Sequence, residues 1–152
     1  MSHQRRSPQL RKGRYSCPGQ IYLITATTLS REPIFTDLYL GRLLAREMMD
    51  VQAHHLARSI AWVVMPDHWH WLFELESGSL QGVVQRVKSR SAIAVNKARG
   101  TEGRLWQRGF HDTAIRKEQD VLCCARYVIA NPVRAGLVTS VRQYSLWDAM
   151  WI

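Results

Sequence analysis

Apolar residues along this chain switch between a period of two and a period of about 3.6, and each switch marks an element. GQIYLITATTLS sets Ile21, Leu23 and Thr25 against Tyr22, Ile24 and Ala26, which predicts a first, well-buried strand. Leu40, Leu43, Leu44, Glu47 and Val51 then recur at helical spacing, predicting a helix over about 37–56 with Thr36 as its N-cap. IAWVVMPDHWHWLFEL reads as two strands, 60–65 and 69–75, turning at Pro66-Asp67. Ser79 is placed to cap a second helix over about 80–99. Its inner side carries Leu80, Val83, Val84, Val87, Ala94 and Val95, and its outer side Arg86, Lys88, Arg90, Lys97 and Arg99. Gly100 to Gly103 ends it. Residues 104–115 predict a fourth strand segment, irregular around Gly109, and 118–130 a third long helix. Pro132 disfavours helical geometry at Asn131, so that helix stops or kinks there. The tail VTSVRQYSLWDAMWI is amphipathic and too short to classify. The order β-α-β-β-α-β plus an additional C-terminal helix predicts an α+β fold: a ferredoxin-like βαββαβ sandwich, its antiparallel sheet covered by helices on one face.

Composition narrows this little until charge is considered. With 152 residues, 46% hydrophobic and 22% charged, the chain fits one ordered domain able to bury a core. Apolar runs such as IAWVVM fall far short of the ~20 residues that cross a bilayer. MSHQRRSPQLRKGR lacks the apolar core of a secretory signal, so a cytoplasmic location is expected. Cys17, Cys123 and Cys124 form neither a disulfide framework nor a CxxC metal pair, and are expected as small residues packed in a reduced interior. Most of the six Trp are expected in the core.

Lys and Arg number 21 against 12 Asp and Glu, a formal charge of +9. Such an excess on a small domain points to a polyanion, most often nucleic acid, with a merely soluble basic protein as the alternative. Most of these cations are Arg, whose planar fork grips phosphate oxygens in pairs. Arg5, Arg6, Arg11, Lys12 and Arg14 give residues 1–18 the character of a basic, flexible arm, ahead of a single domain over 19–152.

His68-Trp69-His70 is the first candidate chemistry. Strand alternation puts both imidazoles on one face and Trp69 and Trp71 on the other, which makes half of a metal site. Two hydrogen-bonded structural histidines would look the same. In QDVLCCARYVIANPVRAGLV, Tyr127 and Asn131 stand four residues apart, on one face near a helix end. Val121, Leu122, Ala125, Val128 and Ile129 are available for packing. Asn131 can offer a carbonyl oxygen to a metal and Tyr127 a nucleophilic hydroxyl; a half-buried packing residue and a helix-terminal turn residue are the plainer alternatives.

MPDHWHWLFEL, LWQRGFHDTAIR and ARYVIANPVRAGLV, in that order, closely resemble the REP-associated tyrosine transposases. These are domesticated bacterial relatives of the single-tyrosine HUH insertion-sequence transposases. The resemblance covers about residues 19–150. It implies that His68 and His70 are the two histidines of the HUH motif, Tyr127 the catalytic tyrosine and Asn131 the third metal ligand, where many insertion-sequence relatives have Gln. It implies Mg²⁺ or Mn²⁺ at these three side chains and an attack by Tyr127 on the scissile phosphate of single-stranded DNA. The products would be a 5′-phosphotyrosine and a free 3′-hydroxyl, and the substrate a REP-type palindromic hairpin. A phenol ionises near ~10, so the nearby cation and Arg-rich surround would have to favour phenolate. Two imidazoles suit Zn²⁺ better than Mg²⁺ by softness, and three neutral ligands would bind weakly until DNA phosphate completes the shell.

The middle motif, with Trp106, Arg108, Phe110, His111 and Asp112, is harder to assign: His111 would contact DNA, support structure or approach the metal or the leaving oxygen. Arg86, Lys88, Arg90, Arg108, Arg116, Lys117 and Arg134 are candidate DNA contacts together with the arm. The protein would be bacterial and nucleoid-associated, a monomer or a homodimer. Two other readings stay open: a REP-hairpin-binding protein whose catalysis has lapsed, and a zinc-dependent phosphoester hydrolase that needs the histidines but not Tyr127.

Overall fold

The computed structural model describes residues 16–150. Five strands form one antiparallel sheet in the order β4-β1-β3-β2-β5. They are β1 (Ile21–Thr27), β2 (Ala57–Val64), β3 (His68–Leu75), β4 (His111–Ile115) and β5 (Trp147–Ala149). The helices are α1 (Leu38–Ala53), α2 (Leu80–Arg99), α3 (Glu118–Ile129) and the single turn α4 (Asn131–Arg134). The first four strands follow the expected ferredoxin-like order, with β3 lying between β1 and β2.

Alternation along β3 divides its side chains cleanly. Trp69, Trp71, Phe73 and Leu75 enter the core under α1 and α2, while Leu72 enters a second core with Val121, Ala125, Val128 and Ile129 of α3. Helices therefore cover both faces, not one: α1 and α2 pack together on one side and α3 lies on the other against β2, β3 and β5. A bulge in β2 between Ser59 and Ala61 adds one residue there, so Ile60 and Ala61 both serve the α3 core while Ser59 still accepts the Trp71 indole N–H at 2.8 Å. Trp71 stacks on Phe73 at 3.9 Å, and the Trp69 indole N–H is directed at Met48 Sδ, so both buried indole N–H groups have an acceptor.

Helix boundaries follow the caps. Asp37, rather than Thr36, caps α1: its carboxylate accepts from the Tyr39 and Leu40 amides, and the helix ends at Ala53. Ser79 caps α2 through the Gly82 amide, and Gly100, at φ 69°, closes it in the left-handed region. Pro132 does break the third helix. Ala130 ends α3, and Pro132 opens α4 within its first turn.

The fourth strand is shorter than the pattern predicts. Only His111–Ile115 pairs with β1, and Trp106 makes one isolated bridge to Thr28. The segment between them is held by a lysine that the helical pattern puts on the outer side. Lys88 is only 6% exposed, and its ammonium donates to the Gln107 and Gly109 carbonyls at 3.0 and 2.7 Å. Burial and the charge of Arg104 pull its pKa down to about 8. Nor are the cysteines interior: Cys17 and Cys123 are exposed and Cys124 half-buried, because α3 packs through Val121, Ala125, Val128 and Ile129. The unclassified tail supplies β5, which pairs Ala149, Asp148 and Trp147 with Ala61, Trp62 and Val63.

Candidate active site

At the turn end of β3, the face toward α3 stops being apolar. His68 and His70 project there with ring centroids 4.9 Å apart, edge to face. Each has its Nδ1 already engaged. The Asp67 carboxylate accepts from His68 Nδ1 at 2.7 Å, and the same carboxylate takes the Arg31 guanidinium at 3.0 Å. His70 Nδ1 shares a hydrogen bond with the Thr25 hydroxyl at 2.8 Å, since Thr25 stands directly opposite it in the β1–β3 register. Supporting partners of this kind fix an imidazole's tautomer and direction and leave the Nε2 edge for a ligand.

The electrostatics follow the burial. His70 is 8% exposed, and burial, then the charges of His68 and Arg134, pull its pKa down to about 4, so it is a neutral imidazole at pH 7. Burial raises the Asp67 carboxyl, but the hydrogen bond and charge of His68, with those of Arg31, outweigh it and hold the group below its ordinary value. Arg31 reaches Asp67 from a turn in which Ser30 and Arg31 both have positive φ, 57° and 53°. Such backbone costs about 1–3 kcal/mol per residue and persists only where surrounding contacts determine it. Here Thr28 Oγ1, bonded to the carbonyls of Glu32 and Asp67, ties that turn to the β2–β3 turn.

Tyr127 meets the histidines from α3. Its ring lies 6.2 Å from that of His70, edge to face, and is half exposed. The Arg134 guanidinium sits over this ring, 4.1 Å from its centroid. Asn131 is held beside Tyr127 by its own amide, whose Nδ2 donates to the Tyr127 and Val128 carbonyls at 3.1 Å each. Asn131 therefore stands at the helix break, as the plain reading has it, and among the described residues no hydrogen bond engages its Oδ1. Among the described residues, no group of three His, Cys, Asp or Glu side chains could hold a metal. The donor set is two imidazole edges and, at most, an amide oxygen, which fits a divalent ion only if the bound phosphate supplies further oxygens.

The other predicted contacts scatter. His111 begins β4 opposite Thr25, so it shares one cross-strand row with Thr25 and His70 on the α3 face and is exposed. Arg86 and Arg90 are committed to Asp50 and Glu47 of α1. Arg108, Arg116 and Lys117 are exposed, whereas Lys88 is buried in α2 with its ammonium on carbonyls of the 104–109 segment. Arg5, Arg6, Arg11, Lys12 and Arg14 lie outside the described residues. Thr25, Asp67 and Arg31 escaped the sequence reading as site residues. The signal for Asp67 was its adjacency to His68; for Thr25 it lay only in the strand register.

Fold and site together define a small basic α+β protein that gathers a histidine pair and a tyrosine at one end of a sheet. The chain belongs to the family described as "Transposase IS200 like", whose model matches residues 18–131. It is similar to the REP-associated tyrosine transposase of Escherichia coli strain K12, with 25% identity over 134 residues, covering 86% of this chain and 77% of that one. The structure of a REP-associated tyrosine transposase bound to a REP hairpin superposes with a TM-score of 0.74 at 25% identity, covering 97% of this chain and 82% of the other. Among the described residues, no helix is long and apolar enough to cross a membrane.

Proposed function

We propose that this protein is a metal-dependent single-stranded DNA endonuclease and strand transferase that acts on REP-type palindromic hairpins through Tyr127. The observation that carries the reading is the approach of Tyr127 to His70, 6.2 Å between ring centroids, over a histidine pair whose Nδ1 atoms are both engaged. With Nδ1 donating, the Nε2 atoms of His68 and His70 present lone pairs, and the Asn131 Oδ1 is the third donor. Mg²⁺ or Mn²⁺ held by these side chains supplies Lewis-acid neutralisation of the phosphate charge. Tyr127 Oη attacks the scissile phosphorus, the phenolic proton is lost to solvent, and the new O–P bond replaces the bond to the 3′ oxygen. That oxygen takes up a proton and leaves as a 3′-hydroxyl, while the 5′-phosphate stays on Tyr127. The phosphotyrosine retains an activated ester, so a second 3′-hydroxyl can displace it and the strand is rejoined. Arg134, lying over the Tyr127 ring, keeps a cation next to the developing phenolate. Hairpin binding rests on the basic surface, and the likeness to a hairpin-bound relative supports that partner.

The test is an adduct assay. Native protein incubated with a single-stranded repeat hairpin and Mn²⁺ or Mg²⁺ is expected to give a protein–DNA band on a denaturing gel, and Tyr127→Phe none. Cleavage that survives Tyr127→Phe contradicts the mechanism. Tight binding with no adduct under either metal identifies a binding protein whose catalysis has lapsed.

A further inference from the structure

Cleavage needs a proton that the groups already placed at the centre do not supply. The departing 3′ oxygen must leave as a hydroxyl, and an alkoxide leaves poorly without an acid beside it. His70 is a neutral imidazole whose Nδ1 is engaged by Thr25, and His68 Nδ1 is bound to the Asp67 carboxylate. Both Nε2 atoms are spent as metal donors in the proposed reaction. A guanidinium and a carboxamide do not give up a proton in water near neutral pH, which removes Arg134 and Asn131. His111 differs from all of these. It is exposed and, among the described residues, has no hydrogen-bond partner. Strand register fixes where it stands: His111, Thr25 and His70 lie side by side on β4, β1 and β3, facing α3. Two strand spacings, about 10 Å, therefore separate the His111 and His70 backbones. Between the two imidazoles lies only the short Thr25 side chain. The nucleophile comes from the other direction. The helix that carries Tyr127, α3, packs against β2, β3 and β5, whereas β4 lies two strands from β3 on the opposite side.

We propose that His111 is the general acid of the cleavage step, the group that protonates the departing 3′ oxygen. The inference deepens the proposed function and rests on it for the reaction served. In-line displacement sets the attacking and leaving oxygens on opposite sides of the phosphorus. With the scissile phosphate at His70, Tyr127 attacks from the α3 side and the 3′ oxygen departs toward β4, where His111 stands. As the Tyr127 Oη–P bond forms and the P–O3′ bond breaks, the protonated imidazole gives its N–H proton to O3′ and becomes neutral. In the rejoining step the neutral imidazole takes the proton of the incoming 3′-hydroxyl as its oxygen bonds to phosphorus. The Tyr127 oxygen then leaves and takes up a proton from solvent. Imidazole suits this double duty because it both gives and takes a proton near neutral pH.

The test replaces the leaving atom. A repeat hairpin is made with either oxygen or sulfur as the 3′ bridging atom at the junction the native chain cuts, and adduct formation is timed in a single turnover with Mn²⁺. A thiolate departs without a proton, so the sulfur substrate has no need of an acid. His111→Asn and His111→Gln sit on an exposed position of an edge strand, and the two together guard against a fault of folding in one. Both are expected to slow the oxygen substrate by about 100-fold and to stay within about threefold of native on the sulfur substrate. Hairpin affinity, read by fluorescence anisotropy, should change by no more than about twofold. An equal loss on both substrates, no loss on the oxygen substrate, or a loss that follows weakened hairpin binding overturns the role of His111 and leaves the Tyr127 reaction standing. A native chain that forms no adduct on either substrate overturns the Tyr127 reaction, and the acid with it.

Discussion

Strand β3 shows one face to α1 and α2 and the other to α3, and the two faces spend their side chains differently. Toward α1 and α2, Trp69, Trp71, Phe73 and Leu75 are all fully buried, and Trp71 stacks on both Trp69 and Phe73. Toward α3, the strand becomes polar at its turn end, where His68 and His70 hold hydrogen-bonded partners instead of apolar ones. The aromatic face makes the strand rigid by area and dispersion. The polar face is oriented by specific bonds, and the rigid strand beneath it lets those bonds hold direction. Two imidazoles can be kept 4.9 Å apart and edge to face because their backbone is anchored by the tryptophans that alternate with them.

Cutting the aromatic face should therefore produce the largest loss of stability. Trp69→Ala is expected to cost about 3–5 kcal/mol in denaturant unfolding, because it leaves a cavity between Met48 and Trp106 in the core. A loss below about 1 kcal/mol would mean that the strand is not anchored from that side.

Acid should act next, and on the polar face alone. The folded chain holds His70 near about 4 against an ordinary 6.5, so between those values the unfolded chain binds a proton that the folded chain does not. Stability in chelator is then expected to be at its full value above pH 6.5 and to fall as pH drops toward 4, by about 3 kcal/mol. Most of that dependence should vanish in His70→Gln. An unchanged pH profile in that variant would remove His70 from the account.

The smallest effect on folding, but a clear one on the site, is expected at Asp67. Asp67→Ala should lower Mn²⁺ affinity by about 10–100-fold, read by calorimetry or by spin resonance, with little change in melting temperature. Asp67→Asn, which can still accept from His68 Nδ1, should recover part of that loss. Equal affinity in all three proteins would show that His68 needs no orienting carboxylate.

Much of this division was legible in the sequence, and the reasons for what was not are specific. Alternation through DHWHWLFEL already separates the histidines from the tryptophans, and the Ser79 and Gly100 caps delimit α2 to the residue. Periodicity says which residues share a face but not which layer that face meets, so the additional helix carried no predicted side, and the structure lays it on the sheet face opposite α1 and α2. Lys88 reads as an outer residue because helical spacing counts its charge, while its long stem lies buried and its ammonium finds two carbonyls that only the folded 104–109 segment provides. Three residues at Trp147–Ala149 carry too short a pattern to announce a strand; they become one by pairing with β2. Thr25 became part of the site through cross-strand register, a long-range fact absent from any local window.

On the polar face, the proposed chemistry turns on Tyr127 forming the covalent bond to DNA. The most direct measurement is peptide mapping by mass spectrometry after reaction with a repeat hairpin in Mn²⁺ and nuclease trimming of the bound strand. The account predicts a residual 5′-phosphonucleotide on the peptide that contains Tyr127, and on no other. A nucleotide on Tyr39 or Tyr144, or on any serine, would contradict it.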